Sequence, residues 1–169
     1  MKVFKKVINR NNEQYDVLHV NTETFDDIPK DLISKAHAVC FYNNKLLLVH
    51  HIEWDVWGIP GGTREPNESI EQTFIREILE ETKCEVLNYR PISYQKIIGQ
   101  NNDIHYRLQY ICNVRPISRF KKDPAGSVNK ILWINPSDFK KYIEKKEFRQ
   151  IIFKRAIEVY RKNKRWEGR

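Results

Sequence analysis

The sequence predicts an α/β fold in which a mixed sheet carries helices on both faces. Three observations lead there. Segments with strand character lie on both sides of one internal segment of helical spacing. A second segment of helical spacing lies near the C-terminal end of the sequence. Hydrophobic residues make up 40% and aromatics 12% of 169 residues, which suits one packed core and argues against disorder.

Taken in order, YDVLHV (residues 15–20) alternates in polarity and reads as an early strand. Residues 26–35 read as a short helix or a loop, and the rest of 1–35 has no assigned element. AHAVCFYNNKLLLVHH reads as a hairpin, with strands at 36–42 and 45–51 joined by Asn43-Asn44. Asparagine tolerates the positive φ that a tight hairpin turn needs. A Gly-Pro-rich loop, WGIPGGTREPNE, follows and leads into a helix. YRPISYQKIIG and HYRLQYICNV read as two strands separated by a turn at 99–103. RFKKDPAGSVN is a polar loop and KILWI a last strand. Asn135 is placed to cap a helix with Pro136 at its first position. Phe148, Ile151, Ile152, Ala156, Val159 and Tyr160 recur at helical spacing, which predicts an amphipathic helix over 147–160. The end, RKNKRWEGR (161–169), is a basic tail.

Lys and Arg number 30 against 22 Asp and Glu, a formal charge of +8. Such a surface fits a phosphate-rich ligand, nucleic acid or an anionic membrane without choosing among them. Cys40, Cys84 and Cys112 are odd in number, far apart and set among apolar neighbours. No CxxC pair is present, so buried reduced thiols are expected and a zinc site is not. No run approaches the ~20 apolar residues of a membrane helix. The first residues, MKVFKKVINRNNEQ, lack the apolar core of a signal peptide. A soluble, cytoplasmic protein with no membrane partner is the expectation.

The most acidic stretch of this basic chain lies on the internal helix. Ser69 followed by Gln72 is a capping-box signature and starts the helix at Ile70. With Glu77 as origin, a turn of ~100° per residue puts Glu81 near +40° and Glu80 near −60°. Ile75, Ile78 and Leu79 centre on the opposite side, which predicts an aliphatic face to bury and a carboxylate face to expose. Arg76 lies four residues before Glu80 and can relieve one charge. The remaining carboxylates raise one another's pKa and oppose folding unless a cation joins them. Hard divalent ions prefer such oxygen ligands. Glutamates on a helix face are more often plain solvation. The loop beside them shifts the balance, because Gly61 and Gly62 let backbone approach a ligand closely.

At this point the segment resembles the box of the Nudix hydrolase superfamily, Gly-x5-Glu-x7-Arg-Glu-U-x-Glu-Glu-x-Gly-U with U aliphatic. Gly62, Glu68, Arg76, Glu77, Ile78, Glu80 and Glu81 fall on its positions. Lys83 stands where the family has glycine, and Cys84 fills the last U. The detailed match covers residues 57–86. The resemblance implies a Nudix-like α/β/α sandwich with a mixed sheet, as a single domain over 1–169. It implies Mg²⁺ or Mn²⁺ held by Glu77, Glu80 and Glu81, with the Gly61 carbonyl as a further ligand. Glu80 and Glu81 are the catalytic candidates, with Arg76 orienting the glutamates and Glu68 supporting the helix. Asp123, outside the box, is an alternative general base, and Asp103 another. Arg64, Trp57 and Gly62 are the candidate substrate contacts. Trp54, Tyr94 and Tyr106 could also stack a base, and His51 and Arg107 could meet phosphate.

The implied function is Mg²⁺-dependent pyrophosphohydrolysis of a nucleoside diphosphate linked to another group. A small nucleotide such as an ordinary or oxidised nucleoside triphosphate is the favoured substrate class. A non-catalytic nucleotide sensor and an RNA 5′-end pyrophosphohydrolase are the alternatives. The retained carboxylates argue against the first, and the lack of an RNA-binding motif argues against the second.

Overall fold

The chain alternates short extended segments with two long helices for reasons visible residue by residue. The computed structural model describes residues 1–8, 12–143, 145 and 147–162. Its strands are β1 (Lys2–Ile8), β2 (Gln14–Asn21), β3 (Ile33–Tyr42), β4 (Lys45–His51), β5 (Val56–Gly58), β6 (Gly61–Thr63), β7 (Cys84–Ile98), β8 (Ile104–Pro116) and β9 (Val128–Ile134). Helices α1 (Ile70–Thr82) and α2 (Glu147–Lys162) complete the frame. The strands form one sheet in the order β1-β2-β7-β8-β3-β4-β5, with β6 on β3 and β9 on β4. β3 and β8 run parallel and the other pairs antiparallel, so the sheet is mixed.

Strand alternation builds two cores from one sheet. Ala36, Ala38 and Cys40 of β3 point to one face, where Phe74 and Ile78 of α1 join them with Leu108 and Tyr110. Val39 and Phe41 point to the other, where they meet Ile152, Phe153, Ala156 and Ile157 of α2. The expected layering, with a helix on each face of a mixed sheet, is therefore present.

Asn43 and Asn44 take φ of 46° and 60°, as the hairpin reading requires. Only two residue pairs, Phe41 with Leu46 and Tyr42 with Lys45, hold β3 to β4 before the strands part. Beyond that point β3 takes β6 as a partner and β4 takes β5, while β9 pairs with β4 from Leu46 to His51. The fork left between them is where the acidic helix points.

Several boundaries differ from the sequence expectation. β1 was not anticipated; it pairs with β2 and extends the sheet edge. Residues 26–35 contain a single 3₁₀ turn at Lys30–Leu32, and β3 already begins at Ile33. β7 starts at Cys84, directly after α1, and absorbs Pro91 at an irregularity between Pro91 and Ser93. Asn135 does not cap its helix with its side chain, which accepts instead from Lys45 Nζ at 2.8 Å, and Pro136–Lys141 is 3₁₀. Arg161 and Lys162 belong to α2, and the rest of the basic tail lies outside the described residues.

The largest correction concerns α1. Ile75 and Leu79 are exposed, and the buried face carries Phe74, Ile78, Glu81 and Thr82. The sheet chose the side on which Phe74 packs edge-on against Tyr89 and tilted against Tyr110, not the purely aliphatic side. The buried and acidic faces therefore overlap at Glu81, which is 3% exposed.

All three cysteines are free and buried, as expected. Burial pushes the Cys84 thiol up to about 11, which keeps it protonated and unreactive. No helix among the described residues is long and apolar enough to cross a membrane.

Lys83 ends α1 in the left-handed conformation, φ 58° and ψ 34°, with its N–H donating to Leu79 O. A Cβ in that region is unfavourable by about 1 kcal/mol. Lys83→Gly should therefore stabilise the protein by about 1 kcal/mol, read as a raised urea midpoint at unchanged slope. A lowered midpoint would mean that the lysine side chain does something the conformation does not reveal.

Candidate active site

The capping box at Ser69 and Gln72 is formed in both directions and fixes where α1 begins. From that start, Arg76 reaches back along the helix to Glu68. Its Nε and Nη2 donate to the two Glu68 oxygens at 2.8 and 3.1 Å, a paired contact. Its Nη1 donates to Glu77 at 3.0 Å and to Glu80 at 3.2 Å. Glu68 also accepts from Thr73 Oγ1 and from the Glu65 N–H. The Arg76 contact, foremost among these, holds the Glu68 carboxyl down at about 2. The same Glu68 contact raises Arg76 above its ordinary range. Glu68 and Arg76 are thus a positioning pair that holds the loop, the helix and the other glutamates together.

Glu81 stands in the fork between β3 and β4. One carboxylate oxygen accepts from the Gly61 N–H of β6 at 2.9 Å. The other faces Ser127 Oγ, just before β9, at 3.4 Å. Burial pushes its carboxyl up to about 8, opposed by the Gly61 N–H and reinforced by the charges of Glu77 and Asp123. Burial also raises Glu77; Arg76 works against this, and Glu80 and Asp123 add to it. Asp123 is buried as well, which on its own would raise it. Hydrogen bonds from Ser127 Oγ and the N–H groups of Ser127, Ala125 and Val128 outweigh that and hold it below its ordinary value.

The loop glycines have separate jobs. Gly61 sits at φ +140°, where an added Cβ would press on the Ala36 carbonyl oxygen and lie 2.5 Å from the His37 Cα. A Cβ on Gly62 would lie 2.6 Å from the Glu77 Cδ, so the missing side chain is what gives the Glu77 carboxylate its place.

The two glycines, Arg76, Glu77, Glu80, Glu81 and Ser127 line a cleft of about 1160 Å³ shared with Arg64, Lys35, His37, His51, Trp54, Arg107 and Arg149. Glu77, Glu80, Glu81, Arg76, Gly61, Gly62 and Arg64 are brought together there. Arg64 is partly committed, donating to the carbonyls of Glu68 and Lys30. Trp57 does not line the cleft. It packs on the α2 side, against His50 and Tyr142, and its place at the rim is taken by Trp54. Tyr94 and Tyr106 pack on each other against the α1-side core, and Asp103 lies in the β7–β8 turn under Gly99. Ser127 was missed, although the Asp123-to-Ser127 run with its glycine is the kind of stretch in which an aspartate folds a loop around itself.

Among the described residues, no three of His, Cys, Asp and Glu are gathered into a ready-made metal cage. The donor set nevertheless fits a hard divalent ion. It is all oxygen, it includes a buried carboxyl that resists ionising, and the charge of Glu80 raises Glu77 as that of Glu77 raises Glu81. Magnesium in particular completes its shell with water and substrate phosphate, so a closed protein cage is not expected of it.

The family model of the NUDIX domain matches residues 33–155 of this chain. YtkD of Bacillus subtilis, provisionally named an 8-oxo-dGTP diphosphatase, is 33% identical over 82 residues, 48% of this chain and 51% of that protein. The mRNA-decapping enzyme subunit 2 of Saccharomyces cerevisiae is 31% identical over 121 residues, 70% of this chain but 12% of that protein. The chain thus spans about half of the first relative and a small part of the second. The Bacillus subtilis pyrophosphohydrolase BsRppH, solved as a mutant, shares the fold at a TM-score of 0.63 and 21% identity, covering 92% of this chain and 97% of that one. From the sheet, the acidic helix and a family match over most of its length, the chain belongs to the NUDIX domain family of Nudix hydrolases.

Proposed function

We propose that this chain is a divalent-metal-dependent pyrophosphohydrolase that cleaves a nucleoside diphosphate linked to another group, with a small nucleotide as substrate. The observation that carries this reading is Glu81, a buried carboxyl facing a cleft beside two other carboxylates and pushed up to about 8. Such a group opposes folding when ionised, and a cation removes the penalty. Two relatives are named for action at phosphoric anhydrides, one of a free nucleotide and one of capped mRNA, which supports the bond type more than the substrate.

Glu77, Glu80 and Glu81 would hold the metal. When bound, Mg²⁺ or Mn²⁺ neutralises phosphate oxygens and lowers the pKa of an attacking water. The chain's own residues do the rest. Arg76 and Glu68 keep Glu77 and Glu80 in place. The Gly61 N–H and Ser127 hold Glu81 in the fork, where it can take a proton from water. Asp123 is a poor base, because both its oxygens are spent on folding its own loop. Its role in this reading is to seat Ser127 against Glu81.

The test is a panel of nucleoside triphosphates, a dinucleoside polyphosphate, a sugar nucleotide and triphosphorylated or capped RNA, with products identified by mass. Phosphate or pyrophosphate release is expected with Mg²⁺ or Mn²⁺ and not with EDTA. Tight nucleotide binding with no product under any metal would overturn the reading in favour of a sensor. A strong preference for RNA, falling steeply with salt, would move the substrate class to nucleic acid.

A further inference from the structure

A second charge problem lies deeper in the cleft, and it has the opposite sign. Lys35 of β3 and Arg107 of β8 are direct neighbours in the parallel register. Both line the cleft and both are half-buried. Among the described residues neither makes an ion pair, and Arg107 Nε is buried with no hydrogen-bond partner. Glu53 and Glu77 are the acidic groups felt by Lys35, but neither is within ion-pairing distance. Burial lowers the pKa of both side chains, and each lacks the anion that would offset it. Two like charges side by side in a half-buried register cost stability without return in the free protein.

The surroundings look built for a polar ligand. Registers place Thr63, Lys35, Arg107 and Gln95 as consecutive neighbours across β6, β3, β8 and β7. In the next row His37 lies beside Gln109. Tyr15 and Val17 of β2 close the far wall, and they fall outside the residues matched by the family. β6 carries the Gly61–Gly62 pair that seats the carboxylates, and β8 lies two strand spacings away, roughly 10 Å.

We propose that Lys35 and Arg107 form an anion subsite that binds a further phosphoryl group of the substrate, beyond the diphosphate that is cut. This rests on the hydrolase reading for its place in catalysis, but not for its binding. The pair favours substrates with one more phosphate over otherwise identical ones lacking it. That phosphate can belong to the substrate's own 5′ chain or sit on the 3′ side of its nucleoside, and the two sources are separable.

The experiment has a binding arm and a kinetic arm. Calorimetry with inorganic triphosphate in EDTA reads the subsite without metal or turnover. Wild type is expected to bind, Arg107→Gln to bind at least tenfold more weakly, and Arg107→Lys to recover most of the loss. Thermal midpoints control for folding; Arg107→Gln is expected to match or exceed wild type, since it removes a repulsion. If that variant does not fold, Lys35→Gln carries the same expectation. Undetectable binding by wild type, or equal binding by the glutamine variants, overturns the proposal. In the kinetic arm, KM is compared for a nucleoside 5′-triphosphate and its 3′-phosphorylated form. A rise in KM for both in Arg107→Gln assigns the 5′ chain, and a rise for the second alone assigns the 3′ phosphate. If neither is cleaved while triphosphate binding still depends on Arg107, the subsite stands and the hydrolase reading falls.

Discussion

Glu81→Gln is expected to cut turnover by roughly 10²–10⁴-fold and at the same time to stabilise the metal-free protein in alkali. The two effects have one cause. Glu81 is 3% exposed, and its carboxyl is pushed from 4.5 up to about 8. Between those values the folded protein holds a proton that the unfolded chain has lost. Stability must therefore fall as pH rises through that window, and the whole penalty is present above about pH 8. Glutamine keeps the shape and the Gly61 contact but cannot ionise. The variant should match wild type near pH 4 and exceed it at pH 9 by on the order of a few kcal/mol. Added Mg²⁺ or Mn²⁺ should close that gap by stabilising wild type and leaving the variant largely unmoved. Thermal melts at the two pH values, with and without metal, give the answer. Identical profiles for the two proteins would show that Glu81 is not the carboxylate the cation relieves.

Much of this site could be read from spacing, and the part that could not has a physical reason. The capping box and the separation of Gly62, Glu68, Arg76 and the three glutamates are local facts, fixed by helix geometry. They came through with the helix starting at Ile70 as expected. Which face of that helix is buried is not local. Ile75 and Leu79 look like core on a helical wheel, but Tyr89 of β7 and Tyr110 of β8 offered Phe74 a better place. That choice rotated Glu81 inward and produced its shifted pKa, which no spacing argument on the helix alone could supply. Lys35 and Ser127 were hidden for the same reason, and Arg107, named as a possible phosphate contact, could not be paired with Lys35. They meet the site only through strand register, and register is set by pairing across 70 or so residues. Trp57, expected to touch substrate, is not among the residues that line the cleft, because a strand of three residues, Val56–Gly58, turns successive side chains to opposite faces.

The two loop glycines should fail in different ways, and the contrast tests how the site is built. Gly61→Ala puts a side chain on a backbone at φ +140° and drives its Cβ into the Ala36 carbonyl and the His37 Cα. Both obstacles are main chain in the centre of β3, so nothing small can move aside. A loss on the order of 3–5 kcal/mol follows from strain plus overpacking, with activity lost because the fold is lost. Gly62→Ala meets a movable obstacle, the Glu77 carboxylate. Its backbone is not at a positive φ, so stability should change by less than about 1 kcal/mol. Glu77 must swing away from the loop, and Arg76 can follow it only at the expense of Glu68 and Glu80. Metal affinity should then fall by roughly 10–100-fold at near-normal thermal midpoint. The measurement is a metal titration of activity beside a denaturation curve for each variant. Should Gly62→Ala lose stability as Gly61→Ala does, the loop would be a structural hinge. Glu77 would then owe its position to the helix alone.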